Sequence, residues 1–152
     1  PGADLRYWEE KKKAIDAAYF ALQLATGALP NVATTASITI GAAFAGGIYA
    51  GISRGVDGAP DEHLVLLPGE AVDVDWDAAR AFATSIGGEL PTRAEQALLF
   101  GNLKDQFQRD WYWSGEQAGP SNAWGQVFYD GYQFGNDRSY EGRARAVRRL
   151  PI

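Results

Sequence analysis

The chain has 152 residues, with 14 Lys and Arg against 19 Asp and Glu, which gives a formal net charge of −5 at pH 7. At 46% apolar and 22% charged residues it has the make-up of a globular protein, long enough for one domain with a short extension, and neither a disordered nor a collagen-like chain. The acidic balance weighs against nucleic acid as the main partner.

The absence of Cys excludes disulfide scaffolds, thiolate zinc sites, iron–sulfur clusters and cysteine nucleophiles. A single histidine, His63, leaves no multi-histidine metal site, and any Ser-His-Asp triad would depend on that residue. Its setting, Pro60-Asp61-Glu62-His63, reads as an exposed loop with His63 a solvated bystander. The chain begins Pro1-Gly2 without a Met, as expected of a processed chain or a fragment.

No Asp, Glu, Lys or Arg stands between Asp16 and Arg54. A spanning helix needs about 20 predominantly apolar residues. Ala17–Leu29 is shorter, carries Gln23 and Gly27 and is stopped by Pro30-Asn31, while Ile38–Ile52 is also short and Gly-rich. Asp4, Glu9, Glu10 and Asp16 stand where a signal peptide has its basic segment. The expectation is therefore no membrane insertion, with the uncharged stretch buried against protein, other copies of the chain included.

In chain order, Asp4 caps a predicted helix running to about Ala25, where Thr26-Gly27 supplies the stop. Trp8, Ile15, Tyr19 and Leu22 make one apolar stripe, and Glu9 and Lys13 are a favourable i, i+4 pair. That stripe needs a partner surface, either the following domain or the same helix of other chains. Thr35–Ile40 and Ala43–Ser53 read as strands, and so does His63–Leu67, which Pro68-Gly69 ends. A helix starts at Asp75-Trp76-Asp77 and closes at Gly87-Gly88. Asp73, Asp75 and Asp77 are read as an acidic N-terminal preference rather than as catalytic acids. Thr92 with Glu95 three residues on is a capping box, and the helix it opens runs to about Asn102 with Ala94, Leu98 and Leu99 inward. Beyond it the pattern turns to β: Trp111–Ser114, a loop over Gln117–Asn122, then Trp124–Tyr129. Asp130-Gly131 is a two-residue primed-turn signal leading into Tyr132-Gln133-Phe134, and Arg143–Leu150 is the last strand.

The ordered set Gly87-Gly88-Glu89-Leu90-Pro91-Thr92-Arg93-Ala94-Glu95, Trp111-Tyr112-Trp113-Ser114, Ala123-Trp124 and Gly142-Arg143-Ala144-Arg145-Ala146-Val147-Arg148-Arg149 resembles a known pattern. It is similar to the C-type-lectin-like modules at the C-termini of phage tail proteins and bacterial collagen-like adhesins, which share a superfamily with formylglycine-generating enzymes. The likeness covers about residues 40 to 150. It implies an α+β, C-type-lectin-like fold, with two helices packed on short antiparallel sheets and an N-terminal amphipathic helix ahead of them. Residues 1–34 are then a helix and linker for oligomerisation or attachment, and residues 35–152 the lectin-like domain. Leu90-Pro91-Thr92, Trp113, Trp124 and Val147 read as structural, Val147 lying in a half-buried strand with its arginines outward.

The resemblance places ligands on the loops and short strands before the last strand. The candidates there are Trp111, Tyr112, Gln117, Asn122, Tyr129, Tyr132, Phe134, Asn136, Arg138 and Tyr140, with Ser121 and Asp137 beside them. Rigid amphipathic rings among amides and Arg make an adaptable recognition surface. Strand alternation puts Tyr132 and Phe134 on one face and Gln133 on the other.

The expected function is a host-recognition module of a phage tail fibre or tail tip. Its partners would be a bacterial cell-surface glycan or protein, other tail proteins and itself as a homotrimer, and its location the virion. A variant of this reading makes the domain a target of a diversity-generating retroelement; the alternative is a structural virion protein, or a bacterial adhesin without a receptor role of its own. A calcium-dependent lectin of the animal type needs Glu-Pro-Asn and Trp-Asn-Asp ligand runs, where this chain has Gly119-Pro120-Ser121-Asn122 and Trp124-Gly125-Gln126. The enzymatic branch relies on cysteines the chain does not have. Neither a metal, a cofactor nor catalysis is expected.

Overall fold

Two local caps set the helices in the computed structural model, which describes residues 38–152. The Asp75 carboxylate accepts the Ala78 N–H at 2.8 Å and opens α1, Trp76–Ser85, and Gly87, with φ +85°, ends it. Thr92 and Glu95 form the reciprocal capping box of α2, Arg93–Leu103: the Glu95 N–H donates to Thr92 Oγ1 at 3.1 Å and the Thr92 N–H to Glu95 Oε1 at 3.0 Å. The helix expected from Asp4 to about Ala25, and Thr35–Ser37 of the first expected strand, lie outside the described residues.

The described strands are β1 (Ala43–Phe44), β2 (Gly47–Ser53), β3 (Glu62–Leu66), β4 (Ala71–Val74), β5 (Trp111–Gln117), β6 (Asn122–Val127), β7 (Gln133–Asp137), β8 (Gly142–Ala144) and β9 (Val147–Pro151). They form a four-stranded sheet ordered β1-β2-β3-β9 and a five-stranded sheet ordered β4-β8-β5-β6-β7. All pairings are antiparallel except β5 with β8. The architecture is mixed α+β.

Two strands run between two cores, which explains their unbroken apolar sequences. In β3, Leu64 and Leu66 enter a cluster with Ala50, Leu99, Phe107 and Phe128, while Val65, with Leu67 just beyond the strand, joins the cluster of Trp76, Leu90, Trp111 and Trp113. In β5, Tyr112 points into the first cluster and Trp111 and Trp113 into the second.

Several expectations are corrected. Ala43–Ser53 is a hairpin rather than one strand: Phe44 pairs with Gly47 across Ala45 (φ 49°) and Gly46 (φ 84°), the two positive φ values of a primed turn. Asp130-Gly131 is not such a turn, since only Gly131 has positive φ; β6 ends at Val127, and Phe128 and Tyr129 belong to the loop. Ile38–Ile40 are not in a strand. Arg143–Leu150 is split between β8 and β9, in different sheets, because Arg145 and Ala146 cross from one to the other. The Arg145 guanidinium is buried in that crossover and donates to the carbonyls of Leu67 and Gln106, and Val147 is wholly buried rather than half-buried. His63 is no solvated bystander: it lies half-buried in β3, its Nδ1 is 2.8 Å from the Tyr49 hydroxyl, and its ring meets those of Phe44 and Tyr49 edge-on. Ala94 is exposed on α2, whose buried residues are Glu95, Gln96, Leu99 and Leu103, while Leu98 is partly buried against the same core as Leu99.

Candidate functional site, an aromatic row on the five-stranded sheet

Register decides which side chains share a face, because residues directly opposite in an antiparallel pair point the same way. Trp111 pairs with Val127 and Trp113 with Gly125, and Gly125 pairs in turn with Phe134 and Ala123 with Asn136. Trp111, Trp113, Phe134 and Asn136 therefore share one face. Tyr112, Gln126 and Gln133 share the other, because Tyr112 pairs with Gln126 and Gln126 with Gln133.

On the first face the rings line up. Ring centroids run Tyr132 to Phe134 at 5.5 Å, Phe134 to Trp111 at 6.0 Å and Trp111 to Tyr140 at 5.4 Å. The first two pairs are tilted by 36° and 39°, and Tyr140 stands at 88° to Trp111 like a wall at the end of the row. Glycines make the row possible: a Cβ on Gly125 would lie 2.1 Å from Trp111 Cζ2, and one on Gly142 2.9 Å from Trp111 Cε3. The indole thus lies across backbone that has no side chain in the way. Its own N–H is buried without a hydrogen-bond partner.

The structure brings together five of the ten sequence candidates, Trp111, Tyr132, Phe134 and Tyr140 in the row and Asn136 on the same face. Exposure differs sharply along it: Tyr132 is 64% and Tyr140 45% exposed, Phe134 is half-buried and Trp111 is only 4% exposed. Trp111 and Tyr112 are corrections to the expected contact surface, since central strand β5 buries both. Tyr112 is 1% exposed; its hydroxyl donates to Glu70 and accepts the Gln108 N–H, each at 2.8 Å, and burial pushes its phenol well above the ordinary value. Trp111 is the floor of the row instead.

The remaining candidates stand apart. Gln117 is exposed at the end of β5, and Asn122, exposed at the start of β6, faces the opposite way and accepts from the Ser121 hydroxyl. Tyr129 is 56% exposed in the loop after β6, with the Arg109 guanidinium 4.2 Å from its ring centre. Arg138 is engaged within the fold, 3.2 Å from Asp77 and 4.9 Å from the Trp76 ring centre. Beside it the Asp137 carboxyl is held below its ordinary value by the backbone N–H and hydroxyl of Ser139.

On the opposite face lies a polar ladder that sequence reasoning misses. Gln96 Nε2 donates to the carbonyls of Tyr112 and Trp113, Gln126 Nε2 to the Gln96 carbonyl at 2.7 Å, and Gln133 Nε2 to Gln126 Oε1 and the Arg93 carbonyl, both at 2.9 Å. Arg93 Nε returns to Gln133 Oε1 at 2.9 Å, and its guanidinium sits 3.6 Å over the Trp124 ring. The available signal was the spacing of Gln126 and Gln133, which places them opposite each other once the hairpin forms. Next to this ladder an open groove of about 690 Å³ runs between α2 and the β6–β7 hairpin, lined by Arg93, Ala94, Ala97, Phe100, Asp130 and Tyr132 among others. Tyr132 borders both groove and row.

Chemically the row offers ring faces, two phenol hydroxyls and one amide, the equipment of non-covalent recognition. Among the described residues no group of three or more His, Asp or Glu is placed to hold a metal ion, and no helix is long and apolar enough to cross a membrane. No protein-family model matches the chain, and no curated protein is a significant match to it.

Proposed function

We propose that this chain is a receptor-binding module of a phage tail fibre or tail tip, with a C-type-lectin-like fold, that recognises a bacterial surface ligand through the aromatic row. The observation that carries the reading is the convergence of Trp111, Tyr132, Phe134 and Tyr140 into one row whose ends are exposed. The C-type-lectin-like assignment rests on the motif resemblance and is supported by two capped helices beside two small sheets. A homotrimer, held in part by the charge-free stretch after Asp16, belongs to the same proposal. So do non-catalytic action and the absence of a cofactor.

The test is competition. Purified protein incubated with a panel of bacterial strains is expected to bind a subset of them and to block phage adsorption to that subset, with no change on calcium chelation. Failure to bind any strain removes the recognition role. A structural virion protein or an adhesin without a receptor role is the second reading, favoured by the burial of two candidate residues, Trp111 and Tyr112. It predicts a folded particle component whose surface substitutions leave adsorption untouched.

A further inference from the structure

We propose that β7 is a pairing edge, to which a second copy of this chain adds its own β7, antiparallel, about a twofold axis at Phe134. This goes beyond the receptor-binding reading, since the pairing needs no receptor.

The open edge follows from the β6–β7 ladder. The Val127 N–H donates to the Tyr132 carbonyl at 2.9 Å, and the Arg138 N–H to the Ser121 carbonyl at 2.8 Å. Both keep the register that pairs Gly125 with Phe134 and Ala123 with Asn136. Tyr132, Phe134 and Asn136 therefore turn their main-chain groups toward β6, and Gln133 and Gly135 turn theirs outward, where β7 ends the sheet. Among the described residues nothing pairs with the outward N–H and C=O groups of Gln133 and Gly135. The next outward carbonyl, that of Asp137, is already taken by the Tyr140 N–H at 2.9 Å.

An open edge invites pairing, and folded proteins guard theirs with short strands, bulges, charges or proline. The other edges here are guarded. β1 is 2 residues long, and β4 has a register shift between Ala71 and Val74 with Asp73 at φ 56°. β9 carries Arg148, Arg149 and Pro151 and is bridged at Val147 by Glu89. β7 has no proline, no charge before its last residue, Asp137, and an unbroken register with β6.

A second copy fits this edge in one register. With Phe134 opposite Phe134, Gln133 of each copy faces Gly135 of the other, and each such pair exchanges both of its hydrogen bonds. Both free residues are used and no occupied group is needed. A centre at Gly135 would need the Asp137 carbonyl, and one at Gln133 the Gly131 N–H, which already donates to the Val127 carbonyl at 2.8 Å. Side chains agree with this register. On the row face Phe134 meets Phe134 and Tyr132 meets Asn136, an aromatic pair flanked by uncharged polar ones. On the other face Gly135 opposes Gln133, whose amide is committed to Arg93 and Gln126, and brings no side chain against it. The contact is isologous, and together with the threefold contact of a homotrimer it has D3 symmetry. The two rows then lie edge to edge on one face of a continuous sheet.

The chain has no cysteine, so introduced thiols are its only ones. In this register Phe134→Cys faces its own counterpart in a non-hydrogen-bonded pair with Cα atoms about 4.5 Å apart, inside the disulfide range of roughly 4.4–6.8 Å. Tyr132→Cys faces the Asn136 position of the second copy and lies about 13 Å from its own counterpart. The experiment oxidises full-length variants in a glutathione buffer and follows dimers on non-reducing gels. Val56→Cys, 71% exposed, is the collision control for Tyr132, 64% exposed. Phe134→Cys alone, and an equimolar mixture of Tyr132→Cys with Asn136→Cys, are expected to form dimers at least tenfold faster than Val56→Cys. Tyr132→Cys alone and Asn136→Cys alone are expected to stay at the control rate. Circular dichroism checks each fold, and the mixture keeps Phe134 in place, so it decides the matter if Phe134→Cys loses structure. A folded Phe134→Cys or a mixture no faster than Val56→Cys overturns the proposal, and so does Tyr132→Cys alone reacting as fast as the mixture.

Discussion

Arg149 holds Glu95 through two parallel hydrogen bonds, Nε to Oε2 at 2.7 Å and Nη2 to Oε1 at 2.8 Å, and joins the start of α2 to β9. The Glu95 side chain is 4% exposed and also accepts the Ser53 hydroxyl of β2 at 2.6 Å, so three elements meet on one carboxylate. Arg149 reaches Glu89 as well. Two pieces of the family-like pattern, Thr92-Arg93-Ala94-Glu95 and Arg148-Arg149, are thereby joined in the frame and not in the row.

That pair predicts an acid limb of stability. Burial alone would raise the Glu95 carboxyl, but hydrogen bonds from Arg149, Ser53 and the Thr92 N–H outweigh it and leave it below the ordinary 4.5. A depressed folded-state value means stability that is fully present above about pH 4.5 and lost as the pH falls through the folded value. Glu95→Gln is expected to flatten this part of the melting-temperature profile and to lower stability at pH 7 by roughly 3 kcal/mol, since it leaves the Arg149 charge without its main partner. Thermal melts between pH 3 and pH 7 check both.

Gly125→Ala tests the floor of the row. The new methyl would stand 2.1 Å from the Trp111 ring, so the indole must shift. The expected loss is roughly 1–3 kcal/mol, as for overpacking, and it should be accompanied by a change in tryptophan fluorescence. Urea unfolding followed by fluorescence reads both quantities.

Ala45→Gly tests the β1–β2 turn. Ala45 is a non-glycine residue at φ 49°, a conformation that costs an L-residue roughly 1–2 kcal/mol, against about 0.4–1 kcal/mol for the extra freedom glycine gives the unfolded chain. A gain of up to about 1.6 kcal/mol is expected by chemical denaturation. A loss would mean that the turn is not strained.

How much could be read beforehand follows from where the information sits along the chain. The caps of α1 and α2 were legible because Asp75 and Thr92 meet partners within three residues. The shared face of Tyr132 and Phe134 was legible because strand alternation is local. The burial of Trp111 and Tyr112 was not, since it depends on β5 lying between β8 and β6, with β8 contributed by a segment about thirty residues later. The sheet change at Arg145-Ala146 was hidden for the same reason: alternation continues through it, while the partners of the two halves lie far apart in the chain. Glu95 and Gln96 were missed as inward residues because their partners, Arg149 and the Tyr112 and Trp113 carbonyls, are also distant.

The central claim is that surface and frame are separable, the exposed row recognising the ligand while the buried tryptophans hold the fold. The most direct measurement compares Tyr132→Ala with Trp113→Ala, scored by melting temperature and by binding to susceptible cells. Tyr132 is 64% exposed and Trp113 wholly buried. Tyr132→Ala is expected to keep the parent melting temperature and lose cell binding, and Trp113→Ala to lose about 3–5 kcal/mol of stability. A Tyr132→Ala protein that is folded and binds cells as tightly as the parent would contradict the account.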